Sequence, residues 1–414
     1  MSIWTPEWRI KIQGVEYTSL TLANLTITSG RTDIYQQPVA GYCRLQLINT
    51  NVSNINFDVN DGVTVEVKND AGTWVVLFGG NITDMNISVS AAGGIGITQT
   101  ISITALGALA RLPKAVFIGN IQQGTDGQQI TDVLEGILFA NWNLVPAGET
   151  WNSYDATTMW EDAENNGLGE IDAGDYTLDG QNSVDSDVYS IVAALAKSGL
   201  GYLYESANGL INYADSTHRS QYFAVNGYVD LDAKHALAGN ITTKKRSGDV
   251  RNSITLQYTA SGNSEVSDSE PASIATYGEL AQTIRTTLKN QADATSQAEF
   301  YLALRAYPQS VFDSVTFAIG NPEIDETDRA ALLGVFMGMP VNLQNLPANM
   351  NNGEFQGFVE GWTFQATVSD IKLTMTVSPL AFSLQAFRWN SVPVTEYWNT
   401  LSNTLIWEQA TIVA

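Results

Sequence analysis

The sequence predicts an α+β, β-dominated chain in which two antiparallel β-barrel domains flank an α+β middle region and a C-terminal aromatic arm follows. Three observations carry that expectation. Apolar and polar residues alternate over short stretches at both ends of the chain, the mark of half-buried strands. Apolar residues recur at helical spacing only in the middle. Charged residues are 15% of the 414 residues and apolar ones 44%, which leaves Asn, Thr, Ser, Gln and Gly to fill turns and the outward faces of strands.

Residues 1–112 read as the N-terminal β-barrel. Cys43, Leu45 and Leu47 alternate with Arg44 and Gln46; Val63, Val65 and Val67 with Thr64 and Glu66; Ile101 and Ile103 with Ser102 and Thr104. The turn signals Asn60-Asp61-Gly62, Asp70-Ala71-Gly72 and Ala92-Gly93-Gly94 are spaced for a small antiparallel barrel.

Residues 113–240 read as an acidic α+β insertion. A helix over Gly127 to Trp142 presents Ile130, Val133, Leu134, Ile137 and Leu138 on one face, with Thr125 or Asp126 as its cap. A second is capped by Ser186-Asp187, buries Val188, Ile191, Val192 and Leu195, and has Gly199 where a C′ residue belongs. Strands over Gly201 to Glu205 and Leu210 to Ala214 are joined by the hairpin signal Asn208-Gly209.

Residues 241–380 are expected to form the second β-barrel. A strand over Asn252 to Tyr258 leads into a mobile polar loop, Ser261 to Pro271, and then a long helix over 279–305, which Gln291 to Ser296 could divide. Strand patterning returns at Val315 and Phe317, Val341 and Leu343, Phe355 to Trp362, and Ile371 to Val377. In the arm, residues 381–414, Trp389, Trp398 and Trp407 recur every nine residues. They read either as inter-subunit contacts that fill grooves or as a carbohydrate-stacking row.

Charge excludes one class of function. With 20 Lys and Arg against 43 Asp and Glu the net charge is −23, and such a surface repels the nucleic acid that a gripping protein must hold. The excess is local: residues 115–196 contain no Lys or Arg but carry Glu161, Asp162, Glu164, Glu170, Asp172, Asp175, Asp179, Asp185 and Asp187 among their acids. A solvated acidic face, a calcium site and a negative surface facing a polyanion in transit are the three readings, although the spacing of a helical calcium loop is missing.

Catalytic signals are few. His218 and His235 have no partner at metal-ligand spacing, and Cys43, the single cysteine, falls on the buried side of its strand and allows no intrachain disulfide. The sequence lacks a Gly-x-Ser-x-Gly elbow, a phosphate-binding loop and a dinucleotide fingerprint. The expectation is therefore no enzyme, no cofactor and no metal; a glycosidase carboxylate pair is the enzymatic alternative, since separation in space defines it. Met1 to Glu7 has no basic or apolar leader character, and Ala330 to Val341 is too short to cross a bilayer, so synthesis in a cytoplasm without a membrane anchor is expected.

The run Thr28-Ser29-Gly30-Arg31-Thr32-Asp33-Ile34-Tyr35-Gln36-Gln37-Pro38-Val39-Ala40-Gly41-Tyr42-Cys43-Arg44-Leu45 resembles the first-barrel motif of minor tail and tail-hub proteins of tailed bacteriophages. The succession of helix, helix plus hairpin, strand-loop-helix and the closing Gly357-Phe358-Val359-Glu360-Gly361-Trp362 strand is similar to those hubs over most of the chain. The resemblance implies a homo-oligomeric ring, typically a trimer, at the virion's tail tip. It implies partners in the tail tube or distal tail protein, the tape-measure protein and tail fibres or receptor-binding proteins, with DNA only as transiting cargo. A distal tail ring or a receptor- or carbohydrate-binding tail protein is the alternative within the same tail. The chain stops at Ala414 without a fibre or hydrolase extension, so host recognition and wall digestion are expected of other subunits.

Overall fold

The computed structural model describes residues 4–32, 36–50, 54–92, 96–138, 168–237, 241–308, 310–348, 350 and 353–379. The N-terminal segment supplies β1 (Trp8–Ile12), β2 (Val15–Glu16), β3 (Thr21–Gly30), β4 (Tyr42–Asn49), β5 (Gly62–Lys68), β6 (Trp74–Ala92) and β7 (Gly96–Leu106). The middle adds β8 (Val116–Ile121), β9 (Gly124–Thr125), α1 (Asp126–Leu138), β10 (Leu168–Ile171), β11 (Thr177–Leu178), β12 (Gln181–Asp187), α2 (Val188–Ser198), β13 (Tyr202–Glu205), β14 (Ile211–Ala214) and α3 (His218–Asn226). There follow β15 (Val229–Asp232), β16 (Thr242–Lys245), β17 (Ser253–Tyr258), β18 (Ser264–Ser269), α4 (Pro271–Tyr277), β19 (Ala281–Arg285) and α5 (Gln291–Arg305). The chain closes with β20 (Ser310–Ala318), α6 (Glu326–Leu333), β21 (Pro340–Gln344), β22 (Phe355–Thr367) and β23 (Ile371–Pro379).

The expected pair of barrels is replaced by one open sheet of 13 strands in the order β16-β20-β23-β22-β3-β4-β7-β6-β5-β1-β2, with β21 pairing β22 and β15. Among the described residues no pairing joins its two ends. The seam is β3 against β22, in register from Asn24↔Thr367 to Gly30↔Gly361. Period-two patterning fixes which face of a strand is buried, but it does not name the partner or say whether a sheet closes. The alternation itself is correct: Leu25, Ile27, Cys43, Leu45, Leu47, Ile101 and Ile103 are buried on one face, joined there by Phe364, Leu373 and Met375 from the other end of the chain.

A second core lies in the middle unit. Ile130, Val133 and Leu134 of α1 and Val188, Val192 and Leu195 of α2 pack with Tyr213, and the same core takes in Ile254, Leu256, Ile284, Leu288, Ala298 and Leu302. Helix α2 starts as its sequence dictates, with the Asp187 carboxylate accepting from Ser190 N–H at 2.9 Å. Its end is different: Gly199 has φ −87° and Leu200 takes the left-handed turn at φ 56°. Gly199 is needed for space instead, because a Cβ there would stand 2.3 Å from the Asp126 carboxylate.

Two expectations in residues 261–305 fail for one reason. Ala281–Arg285 is a strand parallel to β17, and the helix begins only at Gln291. Leu280, Ile284 and Leu288 are four apart, close to one helical turn but also twice the strand period, and the β-branched run around them favours a strand. The supposed mobile loop contains β18, which pairs with β17 from Ser253↔Ser269 to Tyr258↔Ser264 and turns Val266 onto the core.

Gly30 marks the seam most sharply. Its φ is 82°, and a Cβ would lie 2.3 Å from the Glu360 carbonyl oxygen. Gly30→Ala is expected to cost about 1–3 kcal/mol from backbone conformation alone, and more with the clash. The denaturation midpoint in urea measures it; a midpoint equal to that of the native chain would mean that the seam does not require glycine.

Candidate functional site: the buried joint and the polar sheet face

At Glu360 the bulged strand β22 turns a carboxylate into the interior, 1% exposed. Arg219 of α3 grips it with both terminal nitrogens, Nη1 to Oε1 at 2.7 Å and Nη2 to Oε2 at 3.0 Å. Arg31, one residue past β3, adds Nε to Oε2 at 2.8 Å, and the Ser378 hydroxyl donates to Oε1 at 2.6 Å. The Arg219 guanidinium also lies 4.4 Å from the centre of the Tyr202 ring. Burial alone would push the Glu360 carboxyl up, but the two guanidinium groups outweigh it and hold the pKa at about 2. For Arg219, burial is likewise outweighed by the facing carboxylate, and its pKa rises.

A second carboxylate seats the middle unit on the sheet. Glu205, at the end of β13, accepts from Gly41 N–H at 2.7 Å and from Leu109 N–H at 2.5 Å. A Cβ on Gly107 would come within 2.2 Å of that carboxylate, so a glycine is required there. Burial raises the pKa of Glu205 against the pull of the two N–H donors. Beside it the Gln37 amide brackets the start of β13, donating to Gly201 O and accepting from Leu203 N–H, each at 3.0 Å. Tyr189 O–H donates to Pro38 O at 2.7 Å. The Gln37-Pro38 to Gly41 segment singled out in the sequence is thus the seat of the middle unit.

Inside that unit, Asp126 accepts hydrogen bonds from the Tyr213 hydroxyl and from Tyr176 N–H. Burial raises its pKa to about 6 in spite of them. Asp172 meets His218 Nδ1 at 2.8 Å and also accepts from Asp215 N–H at 3.0 Å. The hydrogen bond to Asp172 raises the pKa of His218 against its burial; burial raises and the His218 bond lowers that of Asp172, with a net fall. An Asp-His pair can orient an imidazole for acyl transfer, yet no hydroxyl or thiol is bonded to the ring of His218 among the described residues. Cys43 is 1% exposed and burial pushes its thiol pKa up. Among the described residues, no group of three His, Cys, Asp or Glu is placed to hold a metal ion.

The acidic block is dispersed by the fold. Glu161, Asp162 and Glu164, and the aromatic arm with Trp389, Trp398 and Trp407, lie outside the described residues. Asp172 holds His218, Asp175 accepts from the Ser216 hydroxyl at 2.7 Å, Asp179 pairs with Lys289 at 3.2 Å, and Asp187 caps α2. Glu170 sits on β10 and Asp185 on β12, opposite Ile118.

The larger surface feature follows from strand register. Across adjacent strands, Asp84, Thr104, Arg44, Thr26, Gln365 and Lys372 line up in one row. Asn86, Ser102, Gln46, Asn24 and Thr367 form the next, and Tyr42, Thr28, Thr363, Thr374 and Thr316 a third. This face, opposite the apolar core, is mostly hydroxyls and amides, with its charges, Asp84, Arg44 and Lys372, confined to the first of these rows. Its side chains bond laterally: Asn24 Nδ2 to Gln46 Oε1 at 2.8 Å, Thr28 to Thr363 at 3.2 Å, Thr316 to Thr374 at 2.9 Å. A trough of about 500 Å³ opens on it between Arg44, Gln46, Gln365 and Lys372. The rows escape sequence reasoning because neighbouring strands β3 and β22 lie more than 300 positions apart in the chain, although the Thr, Ser, Asn and Gln content of each strand is plain.

No protein-family profile and no curated protein matches the chain. Solved structures do match in fold. The tail protein from Neisseria meningitidis MC58 superposes with a TM-score of 0.59 at 11% identity, over 92% of this chain and 98% of that one. The 43 kDa tail protein of prophage MuSo2 from Shewanella oneidensis gives 0.56 at 13% identity, over 91% and 99%. Over about nine-tenths of its length the chain shares the fold of these two tail proteins.

Removing one partner from a buried charge cluster leaves the rest uncompensated, so Arg219→Met is expected to lower unfolding free energy by about 3–5 kcal/mol. Calorimetry or urea titration measures it; a loss below about 1 kcal/mol would mean that Arg31 and Ser378 suffice for Glu360. The pair at α3 predicts a pH window. With its pKa raised, His218 contributes stability in full below its ordinary value of 6.5 and loses it as pH rises through the raised value. With its pKa lowered, Asp172 contributes in full above 3.8 and loses it as pH falls through the lowered value. In His218→Gln the alkaline decline that sets in above pH 6.5 should flatten; an unchanged decline would assign it to another group.

Proposed function

We propose that this protein is a structural component of a bacteriophage tail tip: a hub ring, most simply a trimer, that closes the distal end of the tail tube and forms part of the DNA ejection channel. The observation that carries the reading is the single open sheet, woven from both ends of the chain and apolar on one face but hydroxyl- and amide-lined on the other. It belongs to a fold shared with two tail proteins, one of them from a prophage, over nine-tenths of the chain. An open sheet carried around a symmetry axis lines a bore with one face and keeps its core on the other.

The polar face suits the bore. Neutral hydroxyls and amides offer a phosphate backbone weak, exchangeable hydrogen bonds, and their sparse charge avoids the counterion-releasing grip that would stall passage. The acids of residues 115–196 that are not bonded internally, Glu170 and Asp185 among those described, add a repulsive potential. Tail tube, tape-measure protein and fibre or receptor-binding proteins are the partners of this reading, and the tryptophans at 389, 398 and 407 are its inter-subunit arm.

Negative-stain images of the purified protein should show rings with a central opening. In virions, Thr26→Lys combined with Gln365→Lys should slow DNA release after triggering, with a delay that shortens as salt rises. Unchanged release kinetics would remove this face from the bore while leaving the ring intact.

A further inference from the structure

Strand β6 runs for 19 residues, but its neighbour β5 covers only part of it: the ladder ends at Gly62↔Asn81. The backbone of Ile82 still bonds Asn60 N–H and Asp61 O, at 2.7 and 2.9 Å. From Thr83 to Ala92 the strand pairs with β7 on one side, and no described strand lies on the other. This edge has none of the usual protection. It contains no proline and no lysine, and Asp84 is its one charge. On the face that carries buried Ile101, the side chains of Ile87 and Val89 overhang the core, 43% and 59% exposed. A ten-residue unpaired edge with exposed aliphatic side chains is a template for another strand.

The opposite end of the sheet has the complementary character. Among the described residues β16 pairs with β20 alone, from Thr242↔Ser314 to Lys245↔Ser310. Its sequence is Thr-Thr-Lys-Lys, followed by Arg246, in a chain that is otherwise strongly acidic. Like ends would bring equal charges together. Unlike ends set Asp84 and an otherwise neutral strand against the exposed Lys245 and Arg246. Because the two ends differ, pairing them is head-to-tail, the arrangement that closes into rings.

We propose that the free edge of β6, residues 83–92, is a strand-pairing site for the β16 end of a second copy of this chain. This rests on the ring reading and names the surfaces that make the ring. Val89→Lys and, separately, Lys245→Glu place a like charge or a gatekeeper at each end while altering exposed side chains only, so the monomer should unfold at the native temperature. Each should raise the concentration of half-assembly, read by sedimentation velocity or mass photometry, by at least about tenfold. Asp84→Lys combined with Lys245→Glu should recover most of that loss.

Native chain that assembles while both single variants assemble equally well would overturn the inference and leave the ring standing. Loss with Val89→Lys but not with Lys245→Glu would overturn the choice of β16 and point to two β6 edges meeting. Native chain that remains monomeric up to high concentration would overturn the ring reading itself.

Discussion

A carboxylate shut away from water must either take up a proton or be matched by positive charge, and at Glu360 the chain meets that demand from two sides. Arg31 arrives directly after β3, Arg219 arrives on α3, and β22 carries the acid between them. Neither arginine can satisfy the geometry unless the N-terminal strands, the middle unit and the C-terminal strands are all in place. Buried ion pairs seldom add much net stability over an apolar replacement, because desolvation consumes most of the attraction. Their effect here is to exclude alternatives: a slip of β3 along β22 would separate Arg31 from Glu360 and also drive Gly30 against the wrong carbonyl.

The joint explains why so polar a sheet holds one register. On the solvent face Thr, Ser, Asn and Gln from neighbouring strands interchange readily in chemical terms, so that face by itself would tolerate a shift of two residues. The apolar side and the bulge at Val359–Gly361 do not. Glu205 has the corresponding role for the middle unit, since its two N–H donors come from the residues that bracket β4 and β7, Gly41 and Leu109. Both carboxylates accept from groups far away in sequence, and both are approached by backbone that has room only for glycine.

The strands were legible in the sequence where polar and apolar residues alternate, as were the cap of α2 and the hairpin turn at Gly209, whose φ is 80°. The sheet was not, because alternation describes one strand and pairing describes two. Spacing by four misled at Leu280, Ile284 and Leu288, which satisfy the helical and the strand period alike. The Gln37-Pro38 motif was noticed for its family likeness, yet its physical role, an amide bracketing β13, depends on a partner 164 residues away. Arg219 follows His218 in a polar stretch, and nothing local distinguishes a guanidinium that will be buried against a glutamate 141 residues later.

The charge distribution changes meaning for the same reason. As a string, residues 115–196 form an acidic block without a counterion. Folded, Asp187 compensates a helix N-terminus, Asp179 a lysine from beyond the block, and Asp172 an imidazole, so these three charges hold the unit together. The surface best suited to a passing polyanion is then the one with little charge of either sign. Strong attraction would hold DNA, and strong repulsion would raise the cost of filling the opening, whereas rows of Thr, Ser, Asn and Gln do neither. On the proposed tail-tip reading, the restraint of the composition, 15% charged in a chain of 414 residues, is what leaves that sheet face mostly to hydroxyls and amides.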